Sequence, residues 1–163
     1  MGEEMELTHF DKNGHAIMVD VTEKADTVRE ATAAGKIRVS KEVYEAVEQG
    51  TVKKGDVLSV AATAGIMGAK KTSDLIPMCH ILPLTNCRIW FEMKPREQEI
   101  YCFCTVKVTG KTGVEMEALT GVGVTFPIIT LVSAFSAFAG AGGAPLAAIW
   151  LGKGARKRAE RIL

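Results

Sequence analysis

An α+β fold, with helices packed on one face of an antiparallel sheet, is what three features of this 163-residue sequence predict. Two stretches, Arg88–Lys94 and Ile100–Val108, alternate apolar and polar residues and are joined by the polar turn Pro95–Glu99. An uncharged run rich in alanine and glycine follows Gly55-Asp56. Ser40 precedes a shorter amphipathic stretch that stops at Gly50. No internal repeat is visible, and residues 1–163 read as a single domain.

Taken in order, the turn residues Asp11-Lys12-Asn13-Gly14 lead into a short strand expected at Ile17–Val21. Arg29–Val39 alternates more weakly and reads as a second strand. A helix over Lys41–Gln49 places Val43, Tyr44 and Val47 on one face. The next helix, about Val57–Lys71, carries small or apolar residues such as Ala61, Ala64, Gly65 and Gly68. Small residues all round let neighbouring backbones approach, so this helix is expected to be central. In the hairpin, Ile89, Phe91 and Met93 share a face of the first strand, and Cys102, Cys104, Val106 and Val108 a face of the second.

Charge is unevenly spread. Lys153 to Leu163 holds five basic residues and one acid, so residues 1–152 carry 15 basic and 18 acidic groups, a net of −3. The body of the chain therefore lacks the basic face of a nucleic-acid binder. Cys79, Cys87, Cys102 and Cys104 are not spaced as paired ligands and read as reduced thiols of a cytoplasmic protein. The acidic start Met1-Gly2-Glu3-Glu4 argues against a secretory signal, and Glu6 spoils a myristoylation motif.

Three constellations offer chemistry. Leu75-Ile76-Pro77-Met78-Cys79-His80 sets a thiol and an imidazole after a backbone-restraining proline; an ordinary loop would use the same residues as core filler and strand cap. No residues are spaced as a metal site. Lys53-Lys54-Gly55-Asp56, with Lys70-Lys71 at the far end of the same helix, suits a polyanion, or is a set of solvated lysines. Gly110-Lys111-Thr112-Gly113 runs into Glu115-Met116-Glu117. On a strand these acids would point the same way, and on a helix they would diverge. Such a pair can hold a polar heterocycle or shift its own proton affinity, or can be solvated at a helix start.

The segments also occur together in a specific order. Leu7–Phe10, Met18–Val21, Thr27–Ala31, Lys54–Val57, Ala64–Met67, Lys70–Thr72, Leu75–His80 and Lys111–Thr120 resemble the cyclic pyranopterin monophosphate synthase family, molybdenum cofactor biosynthesis protein C, over about residues 7–124. The resemblance implies a ferredoxin-like antiparallel sheet with helices on one face. It implies a homohexamer, a trimer of dimers, with sites at the dimer interface. The implied substrate is a small molecule, a cyclic dihydroguanosine triphosphate made from GTP. It becomes cyclic pyranopterin monophosphate with release of pyrophosphate.

Lys54 matches a catalytic lysine of that family, and Met78, Cys79, His80, Met116 and Glu117 match its substrate-binding segments. Arg29, Lys54 and Lys70 are cations suited to the triphosphate. His80 with Glu115 and Glu117 suits the proton transfers. No resident cofactor or nucleic-acid partner is implied, though Mg2+ can accompany the triphosphate.

The resemblance departs after Leu119-Thr120, so that residues 1–120 form the family-like body and 121–163 a divergent segment. Continued without gaps, the family's Asp-Met-x-Lys positions are Leu131 and Ala134 here, and Ile81 replaces a usual proline. From Ala118 to Gly152 there are 35 uncharged residues, followed by the basic tail. A shifted reading frame, true divergence or a membrane span would each produce this pattern. Pro127 and the run Gly140–Pro145 are expected to break such a span. The alternative function is therefore a catalytically impaired homologue acting as a binding or scaffold protein, or at a membrane.

Overall fold

Three antiparallel strands form the frame, in a computed structural model that describes residues 10–52, 55–154 and 157, with backbone but not side chains for 132, 133 and 135–147. The N-terminal residues read for a leader, the Lys53-Lys54 pair and most of the basic tail lie outside the described residues. Strand β1 (Thr27–Arg38) pairs along its whole length with β3 (Glu99–Gly110), from Thr27 opposite Gly110 to Arg38 opposite Glu99. Strand β2 (Asn86–Lys94) takes the other side of β3, giving the order β1-β3-β2. Helices α1 (Lys41–Glu48), α2 (Val57–Lys70) and α3 (Thr72–Leu75) connect β1 to β2, and α4 (Glu115–Gly152) follows β3. A strand, helices, two strands and a helix in succession are the opening of the ferredoxin-like pattern. Both the α+β class and the one-sided helical layer agree with the sequence.

Central β3 supplies the middle of the core. Ile100, Cys102, Cys104, Val106 and Val108 are fully buried on its helical face. Each valine there contributes roughly 1.5–3 kcal/mol by leaving water. One cluster joins Cys102, Cys104, Val106 and Val108 to Ala69 of α2 and to Val114, Ala118 and Val122. A second cluster, at the other end, joins Ile100 to Tyr44, Val57, Ala61 and Ile129. Among the described residues the opposite face of the sheet carries cross-strand pairs of its own, with Trp90 stacked on Phe103 at 5.1 Å and Lys36 5.5 Å from the Tyr101 ring centre.

Glycines let α2 and α4 touch. A Cβ on Gly68 would lie 2.7 Å from Val124 Cγ2, and one on Gly121 2.5 Å from Cys104 Sγ. At Gly65 a Cβ would meet Ile89 and approach the Gly121 carbonyl oxygen to 2.7 Å. The expectation of a central α2 is met by this interlock.

Two expectations fail locally. Ile17–Val21 is irregular, with only an isolated bridge between Phe10 and Ala16 nearby. Asp20 explains the failure: its carboxylate accepts the Thr22 N–H at 2.8 Å and the Thr22 hydroxyl at 2.6 Å, a local turn that competes with extended pairing. The second failure is the expected break in the uncharged run. Helix α4 continues for 38 residues through both Pro127 and 140–145, across the compositional boundary at Thr120. Pro127 and the residue four back, Gly123, both lie on the exposed side, where the displaced carbonyl can turn to water. Among the described residues no helix is long and apolar enough to cross a membrane.

Candidate active site

The loop after α3 is shaped by Pro77. Its ring presets one backbone angle of a turn closed by the Cys79 N–H donating to the Ile76 carbonyl at 3.1 Å. That turn delivers Met78, Cys79 and His80 to a cleft of about 310 Å³. The cleft's other walls are Arg29 at the start of β1, the Lys111–Gly113 loop, and the first turn of α4 with Glu115, Met116 and Glu117. Seven residues expected to bind substrate or move protons thus line one cavity, although they come from three separated segments.

Lys54 lies outside the described residues, and the second expected cation, Lys70, does not line the cleft. Lys70 is exposed at the end of α2; the Cys87 thiol is lowered chiefly by its contact with Cys104 Sγ, with a smaller contribution from the charge of Lys70. At the start of α2 the polyanion reading meets a competitor. Asp56 accepts the Leu58 and Ser59 N–H groups at 3.1 Å each, occupying amides that an anion would use. Val19, Val21, Lys24 and Lys111 also line the cleft. The Gly110–Gly113 loop signalled Lys111 in the sequence; nothing in local spacing signalled Lys24.

The two acids differ. They lie on a helix and diverge, leaving Glu115 exposed and Glu117 with only 4% of its surface accessible. Burial pushes the Glu117 carboxyl above the usual carboxylate range, and the charge of Glu115 adds to the shift. Glu115 folds back over Gly113, where an added Cβ would collide with its carboxylate. Burial also raises the Cys79 thiol, helped by the charge of Glu117, which disfavours its thiolate. Arg29 is anchored by its Nε donating to the Gly110 carbonyl at 3.2 Å.

Asp20, on the wall segment, is held ionised chiefly by Thr22, with smaller help from the charges of His80 and Lys111. The cleft therefore joins three fixed cations, Lys24, Arg29 and Lys111, to a buried carboxyl and an imidazole. Such a mixture suits a ligand with an anionic end and a hydrogen-bonding heterocycle.

Leu131 and Ala134 stand apart from this cleft. At a rise of about 1.5 Å per residue, Leu131 lies roughly 21 Å along α4 from Glu117. Ala134 lines a second cavity with Arg38, Ser40, Val43 and Thr130.

The model of the MoaC family matches residues 18–133, beyond the sequence resemblance noted to about residue 124 and well past Thr120. The chain is 60% identical over 122 residues to a cyclic pyranopterin monophosphate synthase of Clostridium botulinum, covering 75% of this chain and 77% of that protein. It is 57% identical over 120 residues to the synthase so named in Desulfitobacterium hafniense, covering 74% and 73%. Campylobacter lari has another, 53% identical over 120 residues and covering 74% and 76%.

Proposed function

Because the chain belongs to the MoaC family, we propose that it converts the cyclic dihydroguanosine triphosphate intermediate into cyclic pyranopterin monophosphate, releasing pyrophosphate, in molybdenum cofactor biosynthesis. The observation that carries this reading is the convergence of Arg29, Met78-Cys79-His80 and Glu115-Met116-Glu117 on one cleft. In this reading Lys24 and Arg29 neutralise the triphosphate, where Arg29 offers a planar fork and Lys24 a point charge. Closing a cyclic phosphate requires a hydroxyl to displace pyrophosphate from phosphorus, and His80 is the group suited to take that proton. Glu117, held toward its neutral form by burial, can donate a hydrogen bond or a proton to the ring being opened. Met78 and Met116 supply the apolar surface for the heterocycle.

One chain does not bring the positions of the family's aspartate and lysine to this cleft. The separation of roughly 21 Å along α4 supports a site completed between subunits, as in a homohexamer built as a trimer of dimers. A cytoplasmic location accords with four free thiols. Identity of 51–60% to several synthases, with the cleft residues in place, favours the enzyme over a binding or scaffold homologue.

The test supplies the cyclic triphosphate to the purified chain and follows pyrophosphate and cyclic pyranopterin monophosphate. Turnover in the range of the relatives is expected. Substrate binding with no product would overturn the synthase reading in favour of the impaired homologue. Light scattering on the same sample should give about six chain masses, and cell fractionation should leave the protein in the soluble fraction.

A further inference from the structure

Residues 11–26 have no regular structure, yet Val19, Val21 and Lys24 form one wall of the cleft. Among the described residues, nearly every hydrogen bond of this segment closes within it. Asp11 holds Asn13 and His15, Asp20 holds Thr22, and the Lys24 N–H donates to the Val21 carbonyl at 3.0 Å. One bond reaches across the fold: Lys111 Nζ donates to the Thr22 carbonyl at 2.6 Å, between residues 89 apart. It runs from the loop between β3 and α4, beside Glu115 and Glu117, to the tip of the wall. Lys111 also lines the adjoining cavity with His80 and Asp26, so it stands at the junction of the two spaces.

We propose that Lys111 is a positioning residue that latches residues 19–24 in place as the cleft wall and thereby sets how well Lys24 meets the substrate's triphosphate. The proposal rests on the synthase reading for its substrate, but the latch is a property of the free protein. A short bond from an ammonium to a carbonyl is of the strong, charge-assisted kind, and among the described hydrogen bonds of this wall it is the one that ties it to the loop after β3. The obvious alternative for a lysine in a phosphate cleft is direct contact with the ligand. That alternative leaves the wall indifferent to Lys111.

Hydrogen–deuterium exchange on the substrate-free protein separates the two. In Lys111→Met, the amides of Thr22 and Lys24 should exchange about tenfold faster or more, the range expected for losing one charge-assisted bond. Lys111→Arg should restore much of the protection, and Lys24→Met should leave it intact. In steady-state assays Lys111→Met should raise KM by about tenfold with kcat within about threefold. Unchanged exchange in Lys111→Met, or a fall in kcat with KM constant, would overturn the latch. Wild-type protein that binds nothing but shows the expected exchange pattern would refute the synthase reading while the latch stands.

Discussion

Replacing Gly121 and Gly123 singly by alanine should move stability in opposite directions, although they are two residues apart in α4. Both changes remove the same backbone freedom from a helix interior, a gain of roughly 0.5–1 kcal/mol. They differ in what the new methyl meets. At Gly121 it would lie 2.5 Å from Cys104 Sγ, whose side chain is fully buried on β3, whereas at Gly123 nothing lies within 4 Å. Overpacking of this kind costs roughly 1–3 kcal/mol, so Gly121→Ala should be destabilising by a net of up to about 2.5 kcal/mol. At about 2–4 °C per kcal/mol for a chain of this size, its midpoint should fall by up to about 10 °C. Gly123→Ala should raise the midpoint by about 1–4 °C on the same scale. Thermal and urea unfolding followed by circular dichroism measure both. Adding Cys104→Ala to Gly121→Ala removes the sulfur in the way and should recover part of the loss. Shifts of the same sign in the two single variants would refute the close seating of α4 on β3.

Glu117→Gln should be as stable as the wild type at low pH and more stable at neutral pH. The folded carboxyl holds its proton more tightly than the unfolded one, so its contribution is complete in acid and is lost as pH rises through the folded value. Midpoints taken across the pH range for both proteins check the divergence. At alkaline pH, where the Glu117 carboxyl is ionised, the same substitution should speed alkylation of Cys79 by iodoacetamide, because it removes a negative charge that opposes the thiolate; mass spectrometry of the labelled peptide reads the rate. Gly113→Ala should change stability by no more than about 0.5 kcal/mol, since the colliding carboxylate of Glu115 is the end of an exposed flexible side chain. It should still raise KM by displacing that carboxylate from the cleft, which steady-state kinetics will show.

The hairpin of β2 and β3 was legible because alternation and a polar turn state the same register twice, and the observed strands depart from the expected ones by only a few residues. Helix α1 was legible through Ser40, whose hydroxyl does cap it by accepting the Val43 N–H at 3.4 Å. Ile17–Val21 has the residue types of a strand, but the side chain of Asp20 captures the neighbouring backbone, and among the described residues no strand pairs with it. Composition likewise predicted breaks at Pro127 and Gly140–Pro145 that α4 does not have. A proline and a glycine run break a helix only where its backbone groups have no other outlet, and Pro127 sits on the open side.

In the site, Met78–His80 and Glu115–Glu117 announced themselves as local motifs. Arg29 and Lys24 have no local pattern, since the register of β1 on β3 and the fold of the 17–26 wall bring them in.

Helix α4 has one further consequence, drawn from its length. Thirty-eight residues at about 1.5 Å each span roughly 57 Å, while the 12-residue strands beneath it span about 40 Å. The rod overhangs its own sheet, and near its end Ile149 and Leu151 each leave more than half their surface in water. A single copy thus carries apolar surface its own layers are too short to cover. Its melting temperature should therefore climb with protein concentration, as neighbouring copies supply by mass action what the isolated subunit lacks.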